Sequence, residues 1–162
     1  MDEGDHLIYS DAGIEFCGNV NYILDRMTSD IWLFGNMYEH KHWCKADIIK
    51  VIGGDPSDKQ VQASVIVIRN SRASRAFVKE WLKWCQVPGL IDDSPSIEPN
   101  DPEFRENRHD QAILTQLAKR DGMALHWWPA KYNNGAFEYE KGSYMDSYPV
   151  LFHHHRKRNN EW

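Results

Sequence analysis

The chain has 162 residues, of which 41% are hydrophobic and 12% aromatic, and its formal net charge is −5. This length and apolar content suffice for one globular domain with a buried core, and they exclude a largely disordered chain. The negative charge argues against general nucleic-acid binding, although the stretch "HHHRKRNN" near the C-terminus is locally basic.

Cysteine usage and hydropathy indicate the compartment. The three cysteines, Cys17, Cys44 and Cys85, form no CxxC pair. An odd number without that spacing favours reduced thiols over a disulfide framework or a zinc ribbon. No apolar run approaches the ~20 residues of a membrane helix, and the acidic start "MDEGDH" is unlike a signal peptide. We therefore expect a cytoplasmic protein without a transmembrane segment.

The first half of the chain predicts strands and helices in alternation. Residues 6–10, "HLIYS", predict a short buried strand, and "IWLF" at 31–34 predicts another; residues 19–27 are a weaker helix candidate. "WCKADIIKVIGG" at 43–54 has isoleucines at helical spacing and a glycine pair that can end a helix. The clearest strand is "QASVIVIRN" at 62–70, whose four consecutive β-branched residues indicate burial on both faces.

The second half continues the alternation after one interruption. A helix is predicted at 72–86 from its apolar stripe. Residues 87–107 contain four of the seven prolines and six acids, which predicts a long loop that is either functional or disordered. A helix at 109–120 and a strand at 123–128 follow. Together these elements favour an α/β sheet within a single domain, 1–162.

Asp11 follows the first predicted strand, in "LIYSDAG". Ligands of open α/β sheets gather at the carboxyl ends of the strands, and a carboxylate there can hold a divalent cation. Gly13 would permit close approach of a backbone or a phosphate. The alternative is a plain turn, because Asp and Gly are common turn residues.

A second polar group lies in "ENRHDQAIL". Asp110 falls in the first turn of a predicted helix, where the helix dipole favours an acid, so one interpretation is an N-terminal cap. His109, Asp110 and Gln111 together are more than a cap needs, however. A carboxylate there could act as a general base or bind sugar hydroxyls.

A third candidate group is the histidine and basic run in "FHHHRKRN". Imidazoles bind metals, and the following cations can neutralise phosphate oxygens. The alternative is a solvated basic tail, and consecutive histidines point in different directions, so at most two could share a site. The run comprises His153, His154, His155, Arg156, Lys157 and Arg158.

Some weaker candidates are equally compatible with structural roles. Lys45 and Asp47 could face a ligand, but a surface pair on the predicted helix would explain them. One of the adjacent Trp127 and Trp128 could be exposed at a strand end, where its face would suit a sugar ring.

Taken in order, several stretches resemble one family over nearly the whole chain. "IYSDAG", "WCKADIIKVIGGD", "QASVIVIRNS", "FVKEWLKWC", "ENRHDQAIL" and "HHHRKRN" are similar to small GT-A type nucleotide-sugar glycosyltransferases of large DNA viruses and of bacterial surface-glycan pathways. The resemblance implies a GT-A-like mixed sheet flanked by helices, a nucleotide-sugar donor, a glycan acceptor, and Mn²⁺ or Mg²⁺ as cofactor.

The resemblance also assigns roles to particular residues. Asp11, at the end of a central strand, would bind the metal that holds the donor diphosphate, and one histidine of 153–155 would complete the metal shell. Residues 156–158 would steady the diphosphate. Asp110 would be the catalytic base, with His109 and Gln111 beside the sugars; Lys45 and Asp47 would be further substrate contacts.

Two departures from the family pattern shape the alternatives. Gly13 stands where a second acid is common, and only ten residues precede Asp11, whereas GT-A domains open with a nucleotide-binding βαβ region. We therefore expect the C-terminal part of such a domain, or an unusually shortened one, associating with a missing N-terminal part or as a homodimer. The alternative function is a non-catalytic carbohydrate- or nucleotide-sugar-binding module; a metal-dependent hydrolase ranks third.

Overall fold

The computed structural model of the protein describes residues 1–57, 59–132 and 150–154. These residues form strands, α-helices and one 3₁₀ helix. Their bounds are, in chain order, β1 His6–Ser10, β2 Ile14–Phe16, α1 Asn21–Leu24, β3 Ile31–Glu39, the 3₁₀ helix His40–Trp43, α2 Ala46–Ile52, β4 Lys59–Val61, β5 Val65–Arg69, α3 Arg72–Cys85, α4 His109–Arg120, β6 Leu125–His126, β7 Ala130–Tyr132 and β8 Phe152–His154.

The main sheet is built around β5 and β3. Strand β5 pairs antiparallel with β1 and with β3. Strand β3 also pairs antiparallel with β4 and parallel with β6, so the sheet has five strands of mixed direction. Helix α4 packs on one face of this sheet, and α2 and α3 pack against α4. The predicted α/β class, with a mixed sheet flanked by helices, is confirmed.

Strand β1 lies at the outer end of the main sheet, which corrects two expectations. Among the described strands it pairs with β5 alone, so Asp11 follows an edge strand and not a central one. Leu7 and Tyr9 are 45% and 49% exposed, so the strand is not buried. The prediction of burial was wrong because only Ile8 of the apolar run packs against the core, while its neighbours point to the opposite face.

The two faces of the sheet bury different side chains, as the two-residue period of a strand requires. One face places Trp32, Val65 and Val67 in a core shared with the second sheet. The other face places Leu33 and Ile66 against α4. Strand β5 is therefore covered on both faces at its centre, which confirms the prediction from its β-branched run.

A second, three-stranded sheet covers the face opposite α4. Its middle strand, β8, pairs antiparallel with β2 and parallel with β7. The register sets His154 opposite Ile14 and Phe152 opposite Phe16, whose rings meet edge to face with centroids 5.3 Å apart. The pairing therefore brings the segment 152–154 beside the chain that directly follows Asp11.

The helices lie close to their predicted positions. Helix α3 begins after Ser71, whose hydroxyl accepts from the Ser74 N–H at 3.0 Å, while the Ser71 N–H donates to Ser74 Oγ at 2.9 Å. Residues 87–107 contain no helix or strand, as predicted. The strand predicted at 123–128 is reduced to two residues, because Trp128 turns into the core between the sheets. Within the described ranges, no helix is long and apolar enough to cross a bilayer.

A chain of buried hydrogen bonds crosses the centre of the fold at His40. Its Nε2 lies 3.0 Å from Gln116 Oε1. Because Gln116 Nε2 donates to the carbonyls of Gly53 and Gly54, at 2.6 and 3.1 Å, its oxygen must accept, and His40 carries its proton on Nε2. Gln60 Nε2 donates to His40 Nδ1 at 3.4 Å. Burial lowers the pKa of His40 to about 4, although the Gln116 hydrogen bond opposes this shift.

We expect the free energy of unfolding to fall as the pH drops from 6.5 to about 4. In this window the unfolded chain protonates His40 and the folded chain does not, so stability is complete above pH 6.5, declines with falling pH and levels below the folded pKa. The loss at His40 is about 3 kcal/mol. Urea unfolding across this range should show that the wild type takes up roughly one proton more on unfolding than His40→Gln does. Identical pH slopes in the two proteins would contradict the buried neutral state.

Candidate functional site

Asp11 extends β1 by one backbone hydrogen bond and then begins a turn. Its N–H donates to the Ser64 carbonyl at 2.9 Å, and its own carbonyl accepts from the Ile14 N–H at 3.0 Å. The side chain is exposed, and its Oδ1 accepts a hydrogen bond from the Tyr9 hydroxyl at 2.9 Å. The backbone is thus a turn, as one interpretation had it, while the carboxylate remains accessible and oriented.

Asp110 approaches the same tyrosine from α4. Tyr9 lies opposite Ile66 in the β1–β5 register, which puts it on the face of the sheet that α4 covers. The pKa of Tyr9 is raised by the hydrogen bond to Asp11 first, then by burial and by the charges of Asp11 and Asp110. The two carboxylates, which are far apart in sequence, therefore lie within electrostatic reach of one hydroxyl.

The backbone of Asp110 is bound by a side chain of helix α3. The indole N–H of Trp81 donates to the Asp110 carbonyl at 3.1 Å. Burial raises the pKa of the Cys85 thiol to about 11, and the charge of Asp110 adds to that shift. Helix α4 has no side-chain cap at its N-terminus. The carboxylate of Asp110 is exposed, so the capping interpretation accounts only for its favourable position near the helix dipole.

His109 connects this acid to the long loop. Its Nε2 lies 2.8 Å from an Asp93 carboxylate oxygen. Its backbone has φ = 49°, in the left-handed region that a non-glycine residue adopts at a cost. The strained backbone and the loop contact together fix the direction in which the chain enters α4 at Asp110.

Gln111 turns away from Asp110 into the buried network. Its Nε2 donates to Gln60 Oε1 at 3.0 Å, and Gln60 in turn donates to His40. Substrate contact by Gln111 stays a prediction. Its observed role is to join the N-terminus of α4 to the centre of the fold.

The histidine run falls only partly within the described residues. His154 is buried and lies opposite Ile14, whose N–H binds the Asp11 carbonyl. His153 Nδ1 lies 3.6 Å from a Glu15 carboxylate oxygen. Because successive residues of a strand face opposite sides, these two imidazoles do not point to one site. His155, Arg156, Lys157 and Arg158 lie outside the described residues.

Lys45 and Asp47 anchor the long loop, and the surface-pair interpretation is wrong for Lys45, which is only 2% exposed. The Lys45 ammonium donates to the carbonyls of Gly89 and Asp92, at 2.6 and 3.2 Å, and to Ser94 Oγ at 3.2 Å. The Asp92 carboxylate lies 3.6 Å from the same ammonium. Hydrogen bonds from Ser94 chiefly lower the pKa of Asp92 to about 2.

Asp47 also binds the backbone of the long loop, at a later position in the chain. Its carboxylate accepts from the N–H groups of Ile97 and Glu98, at 2.9 and 2.8 Å. Both predicted substrate contacts therefore have loop backbone as their observed partners, and contact with a ligand stays a prediction.

A different set of side chains has the spacing of a metal site. Within the described ranges, the group of three His and acidic residues whose donor atoms all lie within 4.8 Å of one another is His42, Asp101 and Glu103. Asp11 is not part of it. Sequence reasoning missed both this group and Tyr9. The one available signal was His42 between Glu39 and an acidic loop, and it has no characteristic spacing.

Comparison with known proteins adds no relative. No protein-family model, no curated protein and no solved structure matches this chain.

We expect Lys45→Met to destabilise the protein by about 2 to 3 kcal/mol, because the carbonyls of Gly89 and Asp92 would lose a charged donor inside the fold. Lys50→Met is the matched control. Its ammonium is 63% exposed and pairs with Glu98 at the surface, so little stability should be lost.

Urea unfolding and limited proteolysis of residues 87–107 would measure the difference between the two lysine variants. Equal unfolding midpoints would contradict the anchoring role of Lys45. A loss of nucleotide binding without loss of stability would instead favour the substrate contact.

Proposed function

We propose that the protein is a glycosyltransferase that moves a sugar from a nucleoside-diphosphate donor to a glycan acceptor, assisted by a divalent metal. The supporting observation is that two segments distant in sequence lie close to Asp11, one on each face of the main sheet. Asp11 and Asp110 both act on the Tyr9 hydroxyl, and β8, which begins the histidine run, pairs with the strand that follows Asp11. These are the three segments to which the resemblance assigns metal, sugar and phosphate contacts.

Asp11 is the proposed metal ligand, and its surroundings fit that role. The Tyr9 hydroxyl donates to Oδ1 and so fixes the plane of the carboxylate, and among the described residues no donor uses Oδ2. Hard divalent cations accept one or two protein carboxylates and complete their shell with substrate phosphates and water. When bound, Mn²⁺ or Mg²⁺ would neutralise charge that develops on the departing nucleoside diphosphate.

Asp110 is the proposed general base. Its carboxylate is exposed at the N-terminus of α4, while its backbone is fixed by Trp81. An acceptor hydroxyl within hydrogen-bond reach of the carboxylate would transfer its proton there as it attacks the sugar. His109, held by Asp93, would orient the same acceptor. In this mechanism, His109 positions the acceptor and Asp110 takes one proton from it.

The second candidate is a binding module without turnover. It is favoured by the exposure of Trp127, which is 50% exposed beside the buried Trp128, as the sequence led us to expect of one of the pair. An accessible indole can stack on a sugar ring without catalysis. A module would bind glycan equally well when the carboxylate of Asp110 is replaced.

We expect Asp11→Ala to weaken Mn²⁺-dependent binding of a nucleoside diphosphate by at least about tenfold while the unfolding midpoint changes little. Calorimetric titration with uridine, guanosine and thymidine diphosphates, with and without Mn²⁺, measures the affinity. Asp25→Ala, a second exposed aspartate, is the matched control and should bind like the wild type. Equal losses of affinity and stability in Asp11→Ala would return Asp11 to a turn residue.

We expect Asp110→Asn to reduce nucleoside-diphosphate release by about 10² to 10⁴-fold, the usual contribution of a general base. Nucleotide affinity should stay within twofold of the wild-type value, because the amide keeps the size of the carboxylate. For the same reason, the free energy of unfolding should equal that of the wild type within error. Release is measured in the presence of a nucleotide sugar and a glycan panel. The binding module would be favoured if the wild type released no nucleoside diphosphate and Asp110→Asn bound glycan as tightly as the wild type.

A further inference from the structure

A group of metal-ligating side chains, separate from Asp11, lies at the junction of β3, the 3₁₀ helix and the long loop. We propose that His42, Asp101 and Glu103, with Glu39 as a fourth ligand, bind a single Zn²⁺ ion that fastens the loop to the body of the protein. This inference does not depend on the proposed glycosyltransferase activity. It rests on distances, ligand chemistry and local charge.

The donor distances suit a tetrahedral ion. His42 Nε2 lies 3.1 Å from a Glu103 oxygen and 3.7 Å from a Glu39 oxygen. Donors on zinc, at bond lengths of about 2.0 to 2.1 Å, stand about 3.3 Å apart at tetrahedral angles. The three donor atoms of His42, Asp101 and Glu103 also lie within 4.8 Å of one another. Small side-chain rotations would therefore bring these three donors to one ion, and Glu39 beside His42 would supply the fourth.

The ligands are carried by segments that are already joined. The Arg105 N–H donates to the His42 carbonyl at 2.9 Å, and the Arg108 N–H donates to the Trp43 carbonyl at 3.1 Å. The Asp101 carbonyl accepts from the Phe104 N–H at 2.9 Å, which closes a turn next to both loop acids. The ordering of these segments is complete before an ion arrives, which lowers the entropic cost of binding.

The charge and the ligand types select the ion. Two carboxylates lie near one ammonium, that of Lys41, which is 3.9 Å from Asp101 and 3.8 Å from Glu103. The Lys41 ammonium is beyond hydrogen-bond distance of both acids, so it compensates their negative charge only in part. A divalent ion bound between the acids would compensate that charge better. One imidazole with carboxylates suits zinc, and zinc binds such a set more tightly than Mn²⁺.

The site would act on the segment that leads to Asp110. Residues 101–108 run from the proposed zinc ligands directly into α4. An ion that fixes Asp101 and Glu103 against His42 would restrain this segment in addition to its backbone hydrogen bonds. The proposed role is structural, because no part of it requires an open coordination position.

The test is calorimetric titration of the chelator-treated full chain with zinc chloride, without nucleotide. We expect one ion per chain, bound more tightly than Mn²⁺. His42→Gln should weaken binding at least about tenfold, since loss of even a supporting residue costs that much at a metal site. His6→Gln, at the exposed end of β1, is the matched control and should bind like the wild type. Lys41→Met should tighten binding, because it removes the competing charge.

Hydrogen exchange supplies a second readout that a disturbed fold would not imitate. Zinc should slow exchange of the Arg105 and Arg108 amides in the wild type and in His6→Gln, and should not do so in His42→Gln. Equal zinc affinities of His42→Gln and the wild type would overturn the proposal. So would a Lys41→Met affinity no tighter than wild type, or equal losses in His42→Gln and His6→Gln, which would indicate scattered surface histidines.

Discussion

Helix α4 buries residues 112–118 without a break, and this constraint organises the rest of the molecule. A helix covered on every side can include polar residues only if each finds a partner. Thr115 Oγ accepts from the Val61 N–H at 3.1 Å and donates to the Gln111 carbonyl at 2.7 Å. Gln116 binds His40 and the carbonyl of Gly53. These partners come from β4, the 3₁₀ helix and the end of α2, so the position of α4 fixes all three.

The same constraint determines where the candidate catalytic acid lies. Asp110 stands at the N-terminal end of α4, two residues before the buried stretch begins. It cannot shift along the helix axis without breaking the hydrogen bonds of Thr115 and Gln116. The edge strand β1 meets it there because Tyr9 faces the α4 side of the sheet. The exposed site therefore inherits its geometry from a buried polar network.

The elements that the sequence predicted well are those with a local signal. The β-branched run of β5 and the apolar period of α4 are sufficient in themselves, because each indicates a buried strand or helix from its own side chains alone. The errors concern partners that are distant in sequence. Burial of β1 depends on whether a further strand covers it, and the sheet formed by β2, β8 and β7 depends on pairing across most of the chain. No local pattern encodes either fact.

The candidate site divides in the same way. Asp11 and Asp110 were recognised from short motifs, whereas Tyr9 and His42 become significant only when folding brings acids to them. Lys45 was recognised for its charge, but two of its observed partners are carbonyl oxygens that any loop sequence could offer, and the side chains of Ser94 and Asp92 are 49 and 47 residues away in sequence, so its role could not be predicted from local sequence.

The acidic group at His42 and the acidic group near Tyr9 differ in whether a cation compensates their negative charge. At His42 the ammonium of Lys41 already lies near both loop acids. Near Tyr9 the situation differs, because the ion pairs that Lys and Arg form among the described residues use other carboxylates than Asp11 and Asp110. Two carboxylates that both raise the pKa of one tyrosine maintain a negative potential at its hydroxyl. A divalent ion at Asp11, as proposed above, would relieve that potential.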